Sequence, residues 1–203
     1  MSGAEASVKQ ASRKRVPAAQ RREELIEAAV HEFARGGLHG TSVERIAKRV
    51  GVAQPYVFAL FQSKRELFIA AVERGFERIA DIFGKAAADY EAGNGPEGAE
   101  DVLMAIGLVY KQALRTDRDY LMLQHQSYAA CDDELVRTHV RKRYALLVEL
   151  ARELSGADDE RLDQFFSRGM ALNVAAAMDV MGLSPAEPWI AKIVSRAEQD
   201  ASQ

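Results

Sequence analysis

The side chains most often used in catalysis and metal binding are few in this chain and lie far apart. The sequence contains four histidines and one cysteine: His31, His39, His125, His139 and Cys131. No two histidines are three or four residues apart, the spacing that places two metal ligands on one helical face. His125 and Cys131 could supply a base and a nucleophile, but no third orienting residue or oxyanion motif lies near them. We therefore predict no catalytic site, no metal site and no cofactor.

An acidic run over 132–134 is a further candidate for binding a cation. It stands at the start of a predicted helix, where carboxylates are stabilised by the partial positive charge of the helix N-terminus. We interpret the run as a helix-start signal rather than as a ligand site.

The stretch over 104–128 mixes apolar side chains with groups that form hydrogen bonds. Its relevant members are Met104, Leu108, Tyr110, Gln112, Met122, Gln124, His125 and Tyr128. A pocket for a small molecule between helices has this composition, because methionines adapt to irregular shapes and a few polar groups fix orientation. An ordinary core with polar edges has it too. The residues alone leave both interpretations open.

The elements that could position functional groups are clearest over 41–61, which reads TSVERIAKRVGVAQPYVFALF. Thr41 and Glu44 form a capping-box pattern, which predicts a helix over 42–50. Its apolar face consists of Val43, Ile46, Ala47 and Val50. Gly51 ends this helix, and Pro55 suits the first turn of a second helix over 54–60. Two short helices joined by a tight turn predict a helix-turn-helix, a motif that reads DNA.

Helical patterns fill most of the remaining chain. A first helix is predicted over 17–35, ended by Gly36-Gly37. A long helix begins at a second capping box, Ser63 with Glu66, and ends at the breaker over 93–96. Five further helices are predicted over 97–115, 117–130, 132–155, 158–182 and 185–200. No strand-like alternation interrupts them, so the predicted fold class is all-α.

Composition and charge restrict the class of protein. With 203 residues, 48% apolar and 28% charged, the chain is typical of a globular protein. The absence of a membrane-length apolar run and of a signal peptide, together with a lone cysteine, predicts a cytoplasmic protein with no membrane contact. The net charge is −3, but residues 1–66 carry +5 and residues 67–203 carry −8. A basic N-terminal part on an acidic remainder favours a polyanionic partner such as DNA.

Residues 1–16 are small, polar and basic, and they show no periodicity. This composition predicts a disordered basic arm. Arg13, Lys14 and Arg15 either enter the minor groove of DNA or belong to a solubilising tail, and both interpretations stay open.

With SKRELF following over 63–68, the helix-turn-helix segment resembles the DNA-binding end of the TetR family of transcriptional regulators. The resemblance implies a helix-turn-helix DNA-binding domain over 17–63 and a helical domain for effector binding and dimerisation over 64–203. It also implies that the helix over 54–60 lies in the major groove, with Lys64 as a phosphate-binding lysine just beyond it. Phe58 departs from the family, which usually has a phosphate-contacting tyrosine there.

On this resemblance we predict a double-stranded DNA operator as partner. Gln54 and Tyr56 are expected to contact base edges, while Thr41 and Lys64 hold phosphates. The predicted DNA-binding residues are Thr41, Ser42, Gln54, Pro55, Tyr56, Phe58 and Lys64.

The family usually carries an effector cavity in its C-terminal half, which favours the pocket interpretation for a small-molecule effector. The predicted effector-binding residues are Phe76, Met104, Leu108, Met122, His125, Tyr128 and Met170. The family's last two helices usually pair with their copies, and the small residues of GMALNVAAAM over 169–178 suit such a contact as well as they suit internal packing. The predicted dimer-interface residues are Phe166, Met170, Asn173, Ala177 and Trp189.

The sequence therefore predicts a homodimeric regulator, with release of a repressor from a palindromic operator by a small molecule as the leading interpretation. A ligand-independent regulator or an activator of the same fold is one alternative, and a body without a cavity would favour the ligand-independent form. An all-helical enzyme is another, and it would need a cavity holding convergent titratable groups.

Overall fold

The computed structural model describes residues 17–180, and this part of the chain forms eight helices without a strand. The helices are α1 (Ala18–Gly40), α2 (Val43–Val50), α3 (Gln54–Leu60), α4 (Lys64–Glu91), α5 (Val102–Thr116), α6 (Arg118–Ala129), α7 (Glu134–Ser155) and α8 (Asp159–Ala177). The all-α prediction is confirmed. The predicted arm over 1–16 and the predicted helix over 185–200 lie outside the described residues. We call α1–α3 the head, α5–α8 the body and α4 the linking helix.

The first helix buries one face and loses its regular geometry at a glycine. Leu25, Ala29 and Phe33 are completely buried along that face. Gly37 has a φ of 59°, which kinks the helix at the predicted stop, although helical structure resumes after it as far as Gly40. A Cβ atom at position 37 would also overlap the side-chain amide of Gln126 in α6. Gly37 is therefore required chiefly by its backbone conformation, since the end of the flexible Gln126 side chain could move aside.

The turn between α2 and α3 follows the prediction. Gly51 adopts a φ of 72°, and its N–H donates to the carbonyl of Lys48 at 3.1 Å. The N–H of Val52 donates to the carbonyl of Ala47 at 3.0 Å, which completes a Schellman closure of α2. Pro55 lies in the first turn of α3. The helix-turn-helix is thus built as its residue types require.

The predicted capping box at the start of α2 is wrong. Ser42 occupies the N-cap position, and no side-chain hydrogen bond caps the helix. Thr41 is instead buried, and its hydroxyl donates to the backbone carbonyl of Glu32 at 3.1 Å. The contact with α1 takes the hydroxyl away from the α2 terminus because Thr41 lies one residue before the cap.

The linking helix is continuous from the head to the body. Ser63 Oγ accepts the N–H of Glu66 at 3.1 Å, as the second capping box predicts, whereas the Glu66 carboxylate accepts the N–H of Gln62 at 3.0 Å. Phe68 of α4 packs edge-on against Phe33 of α1, with ring centroids 5.0 Å apart. Farther along α4, Phe83 packs edge-on against aromatic rings of α5 and α8. The linking helix therefore shares its apolar face with both regions.

The body helices follow the predicted order, with differences at some ends. α5 begins at Val102 rather than near 97, because Asp101 caps it by accepting the N–H of Met104 at 2.8 Å. Asp133 caps α7, which confirms the interpretation of the acidic run as a helix start. α8 ends at Ala177 rather than near 182, shortly before Asp179 turns the backbone to a φ of 57°.

One body helix, α6, lies along α1 of the head. The Asp119 carboxylate pairs with His31 Nδ1 at 2.6 Å and with the Arg35 guanidinium at 3.0 Å. The Tyr120 hydroxyl donates to the Glu27 carboxylate at 3.0 Å. The head is thus joined to the body twice, through α4 and through α6. No helix in the described range is long and apolar enough to cross a membrane.

Candidate DNA-binding surface and effector cavity

The outward face of α3 presents side chains that lack internal partners. Gln54 and Pro55 are exposed, and Tyr56 and Phe58 keep 38% and 41% of their surface accessible. Val57 is buried on the opposite face and holds α3 against the head. Within the described chain, no hydrogen bond or ion pair engages the side chain of Gln54 or Tyr56. These groups are available to an external ligand.

Lys64 lies beside this face at the first position of α4. Its ammonium donates to the backbone carbonyls of His39 at 3.1 Å and Thr41 at 3.3 Å. An ammonium has three donors, so one N–H remains for a further acceptor. Ser42 is exposed next to these carbonyls, whereas the Thr41 hydroxyl is buried. The predicted contact between the Thr41 side chain and phosphate is therefore not supported, while Ser42 and Lys64 remain accessible.

Cations on α2 form a part of the head that the sequence-based prediction omitted. Arg45 and Arg49 pair with the carboxylate of Glu32 at 2.7 Å and 3.2 Å, and Glu32 itself is buried. Lys48 is exposed on the same helix. The ion pairs fix α2 on α1 while leaving the outer edges of the two guanidinium groups accessible. The closely spaced basic residues of ERIAKRV could have indicated this cationic surface from the sequence.

A cavity lies between α4, α5 and α6. Together with its open mouth, the cavity encloses about 500 Å³ of space not filled by atoms. The part wide enough to place the centre of a water molecule measures only about 40 Å³. In this conformation the cavity is therefore a narrow slot. Its apolar walls include Val72, Phe76, Ile79, Ile82, Ala113, Leu114, Leu121 and Leu123.

The buried end of the slot is polar and internally hydrogen-bonded. The hydroxyl of Tyr110 donates to the side-chain oxygen of Asn173 at 2.8 Å and lies 3.3 Å from that of Gln124. Burial raises the pKa of Tyr110 to about 12, even though these hydrogen bonds lower it. The hydroxyl is thus a protonated donor at neutral pH. Ser127, which also lines this end, donates to the carbonyl of Gln124 at 2.7 Å.

The exposed end of the slot carries an ion pair. Arg78 Nε donates to the Asp117 carboxylate at 2.8 Å, and its guanidinium lies 5.1 Å from the centroid of the Tyr120 ring. Burial raises the pKa of Tyr120 to about 12, with a further contribution from the negative charge of Glu27. The Tyr120 side chain has two roles. It lines the cavity, and its hydroxyl donates a hydrogen bond to Glu27 of the head.

The structure places the predicted effector residues in several different environments. Phe76 is the one of the seven that lies in the described cavity wall. Tyr128 accepts a hydrogen bond from Gln124 at 2.9 Å and stands behind the wall, and His125 Nε2 lies 3.2 Å from the carbonyl of Asn173. The other four, which are half-buried or exposed elsewhere in the body, are Met104, Leu108, Met122 and Met170.

The true lining was not recognised in the sequence because it comes from three separate helices. Asp117 lies between α5 and α6 with non-helical backbone angles, so no single face continues through it. Within α6, Tyr120 and Gln124 are four residues apart, and on α4 Gly75 and Arg78 are three apart. These spacings indicate a shared face within each helix, whereas the prediction selected residues by chemical type.

An apolar stripe lies on the outer face of α8. Met170, Val174 and Met178 are spaced four residues apart and remain 37%, 47% and 54% exposed. Phe166, one turn earlier, is half-buried beside a groove between α7 and α8. These four residues, which we call the α8 stripe, form a continuous apolar surface. Phe166 packs against the rings of Tyr144 and Phe165, while the other three face outward from the part of the chain that the structure describes.

The α8 stripe is shifted from the predicted dimer surface. Asn173 is only 3% exposed and accepts a hydrogen bond from Tyr110, so its side chain does not belong to the exposed face of α8. Ala177 is half-buried, and its carbonyl accepts a hydrogen bond from Arg118 of α6 at 3.1 Å. Predicted interface residue Trp189 lies outside the described residues. Val174 and Met178 take the exposed positions instead.

The histidines and the cysteine have separate structural partners. His139 Nδ1 lies 3.2 Å from the Glu73 carboxylate, and the Cys131 thiol donates to the carbonyl of Ser127 at 3.3 Å. Burial raises the pKa of the Cys131 thiol, which opposes thiolate formation. Among the described residues, no group of three His, Cys, Asp or Glu side chains could hold a metal ion.

Comparison with known proteins links the head to a bacterial family. Residues 25–71 match the model for bacterial regulatory proteins of the tetR family. The chain is 35% identical over 65 residues to the HTH-type transcriptional activator FasR of Mycolicibacterium smegmatis, covering 32% of this chain and 30% of that protein. It is 34% identical over 62 residues to the HTH-type transcriptional repressor AcnR of Corynebacterium diphtheriae, covering 30% and 33%. The matches thus span about a third of the length of these relatives.

The fold as a whole has solved counterparts. The crystal structure of a TetR-like transcriptional regulator from Rhodococcus sp. RHA1 superposes with a TM-score of 0.63. The match covers 93% of this chain and 100% of that chain at 22% identity. The arrangement of head and body is therefore shared beyond the segment of sequence similarity.

Proposed function

Because the chain belongs to the TetR family of bacterial transcriptional regulators, we propose that it is a homodimeric repressor that leaves its operator when a small molecule enters the slot between α4, α5 and α6. The observation that carries this proposal is the position of Tyr120, which lines the slot and also hydrogen-bonds Glu27 of the head. A change inside the cavity is thereby connected to the DNA-binding region by a single side chain.

In the proposed DNA complex, α3 occupies the major groove. Gln54 has the paired donor and acceptor needed to recognise adenine, and the exposed Tyr56 ring adds contact area beside it. Phe58 has no hydroxyl, so it contributes apolar contact with sugars or thymine methyl groups rather than a phosphate hydrogen bond. Lys64 and Ser42, which lie next to each other, would hold the DNA backbone beside the start of α2 and so fix the register of α3.

The proposed dimer forms through the α8 stripe. Three apolar side chains that are 37% or more exposed are costly to leave in water, and their four-residue spacing gives a continuous strip for a second helix. A twofold axis through this surface would present two heads to a palindromic operator. The acidic body would then be held away from the DNA by charge repulsion.

Because the slot is narrow, the proposed mechanism has two states, one with the slot closed and one with the slot widened by the ligand. Drug-sized ligands usually need about 300–1,000 Å³ of pocket volume, far more than the space open to water here. A ligand must therefore separate α4 from α5 and α6. Because α4 continues into the head and α6 rests on α1, the separation would change the orientation of the heads. The ligand lowers DNA affinity only to the extent that it prefers the widened state.

Filling the slot tests this proposal. Ala113 lies in the wall, so Ala113→Met should occupy the space without contacting DNA. Ala129→Met is the matched control, since Ala129 is exposed at the end of α6. Compounds that raise the melting temperature of the wild type should release operator DNA in a fluorescence anisotropy assay. Ala113→Met should keep operator binding and lose the response, while the control keeps both.

The proposal would be abandoned if no compound in a diverse library shifted the melting temperature and operator binding were unaffected throughout. A response that persisted in Ala113→Met would place the effector elsewhere in the protein.

Activation is the second candidate, because the chain is as similar to an activator, at 35% identity over 65 residues, as to a repressor, at 34% over 62 residues. Run-off transcription from the bound promoter distinguishes the two. Repression requires that added protein lowers transcript yield and that the effector restores it, whereas an activator gives the opposite result.

A further inference from the structure

On the proposed effector function, the geometry at the mouth of the slot points to the chemical class of the ligand. We propose that the effector is an apolar molecule with one anionic group, such as a carboxylate, which binds Arg78 in place of Asp117. The displaced Asp117 carboxylate then caps the N-terminus of α6.

The charge of the lining favours an anion. Among the lining residues in the described chain, Arg78 carries the only positive charge. The rest of the slot is almost entirely apolar, apart from the neutral polar groups at its buried end. A ligand whose larger part is apolar therefore meets a positively charged side chain only at the mouth of the slot. A cationic ligand would meet Asp117 there, but it would also face the adjacent Arg78.

Arg78 has the geometry to exchange one carboxylate for another. Its guanidinium lies over the Tyr120 ring, 5.1 Å from the ring centroid, which keeps it at the mouth of the slot. The contact with Asp117 uses Nε and Nη2. Donors on the other edge give an incoming carboxylate its first contact before it replaces Asp117. The side chains of Arg78 and Asp117 are 44% and 28% exposed, and an accessible ion pair of this kind is weak. A ligand that carries a carboxylate and also buries an apolar part in the slot can therefore compete with Asp117 for Arg78.

Asp117 has an alternative partner within reach along the chain. It occupies the N-cap position of α6, yet its side chain makes no cap hydrogen bond because it faces Arg78. Aspartate is among the best N-cap residues, and its carboxylate normally accepts the N–H of the second or third helical residue. In α6 these are Asp119 and Tyr120. Displacement therefore exchanges one satisfied arrangement of Asp117 for another.

The exchange takes place directly at the contact with the head. Asp119 pairs with His31 and Arg35 of α1, and Tyr120 donates to Glu27 of α1. A new cap on the N–H groups of these residues would alter the first turn of α6, which bears all three contacts. The anionic group of the ligand thus changes the contacts between α6 and the head, while the apolar part of the ligand supplies binding affinity.

Matched probes measure the contribution of the charge. We would titrate wild-type protein with decanoate, decanamide and decylamine, and with 2-naphthoate and 2-naphthamide, by calorimetry. Each carboxylate should bind about tenfold more tightly than its amide, since a charge-assisted bidentate contact is roughly twice as strong as a neutral one. Decylamine should bind no better than decanamide.

Variants assign this preference to Arg78. Arg78→Gln should reduce the carboxylate-to-amide ratio to about 1 while leaving amide binding unchanged, and Arg78→Lys should restore part of it. Arg161→Gln is the control, because Arg161 forms the same type of pair with Asp101 at the other end of α5. That variant should keep the wild-type ratio.

Hydrogen exchange tests the role of Asp117. The backbone N–H groups of Asp119 and Tyr120 should exchange more slowly in the decanoate complex of the wild type than in the free protein. In Asp117→Ala, decanoate should still bind and the slowing should be lost.

The outcomes separate the two proposals. Equal binding of acids and amides, with operator release by both, would overturn the anionic effector and leave the sensor function intact. A preference for acids that survived Arg78→Gln would also overturn it. If no probe of either shape bound, the ligand class and the proposed use of the slot would both be rejected.

Discussion

In the described chain, the head and the body differ in whether their functional groups already have hydrogen-bond partners. In the head, Gln54 and Tyr56 project from α3 without internal partners. In the body, Tyr110 and Gln124 line the slot with their hydrogen bonds already formed. An exposed surface can wait for DNA to supply the missing partners, but buried polar groups must be satisfied in the free protein. The body is therefore the region that must exchange one set of bonds for another when it binds.

The largest expected effect comes from separating the two heads. Val174→Arg places a charge in the middle of the α8 stripe and should yield monomers, because a charge buried against its symmetry mate is not compensated. Operator affinity should fall at least about 100-fold, since the second head loses the benefit of being tethered to the first. Light scattering and anisotropy measure the two changes.

The same variant tests whether each copy of the chain keeps its fold without its partner. Circular dichroism of Val174→Arg should remain helical, and Glu149→Arg, an exposed change on α7, should leave the dimer intact. Wild-type protein that is monomeric at micromolar concentration would remove the premise.

Within the head, specificity and affinity should separate. Gln54→Ala should cost about 1–3 kcal/mol at one base pair of the operator and little at others. Lys64→Ala should weaken binding to every sequence and reduce the salt slope by about 1. Binding to a randomised operator library at several salt concentrations measures both, and uniform loss in the two variants would contradict the assigned roles.

The head could be predicted from sequence because its site is local. Gly51, Pro55 and the apolar residues of α2 and α3 act on neighbours a few positions away, so their types determine the turn. The exception was Thr41, whose hydroxyl bonds a carbonyl nine residues earlier in α1. A capping pattern does not reveal such a competing acceptor.

The body was predictable as a set of helices but not as a site. Its slot combines α4 with residues of α5 and α6 that are tens of positions later, and which faces meet depends on how the helices pack. Asn173 shows the difficulty, since the family resemblance and the small residues around it suggested the dimer contact, whereas its side-chain oxygen accepts a hydrogen bond from Tyr110 inside the body. Chemical type identified a region, and packing decided which residues faced the slot.

A smaller effect should appear in communication between the two regions. Tyr120→Phe removes the hydrogen bond to Glu27 and should reduce the effector's influence on operator affinity about tenfold, because bonds to charged groups contribute about 1.5–3 kcal/mol. Operator binding without effector should change little. Tyr90→Phe is the matched control, since the Tyr90 hydroxyl bonds the carbonyl of Glu100 away from the head. Equal losses in both variants would argue against a specific route through Tyr120.

The smallest effect concerns stability and asks whether the two regions unfold together. Ser63→Ala removes the cap of α4 beside the head, and Asp158→Ala removes the cap of α8 in the body. Each should cost about 1 kcal/mol in urea unfolding. Because the apolar core continues from α1 through α4 to α8, circular dichroism and hydrogen exchange should report one shared transition. Separate transitions would show that the head folds on its own.

The place where Gly37 meets Gln126 makes the seam between head and body adjustable. A Cβ atom at position 37 would overlap the Gln126 amide, but that amide is the end of a flexible side chain and can turn aside. Only the φ of 59° at Gly37 is a fixed requirement, because a left-handed backbone disfavours any residue with a Cβ. The seam can therefore re-form after α1 shifts against α6. Effector binding is then expected to change the distance between the two recognition helices reversibly, which pulsed dipolar spectroscopy on spin labels at Phe58 would measure.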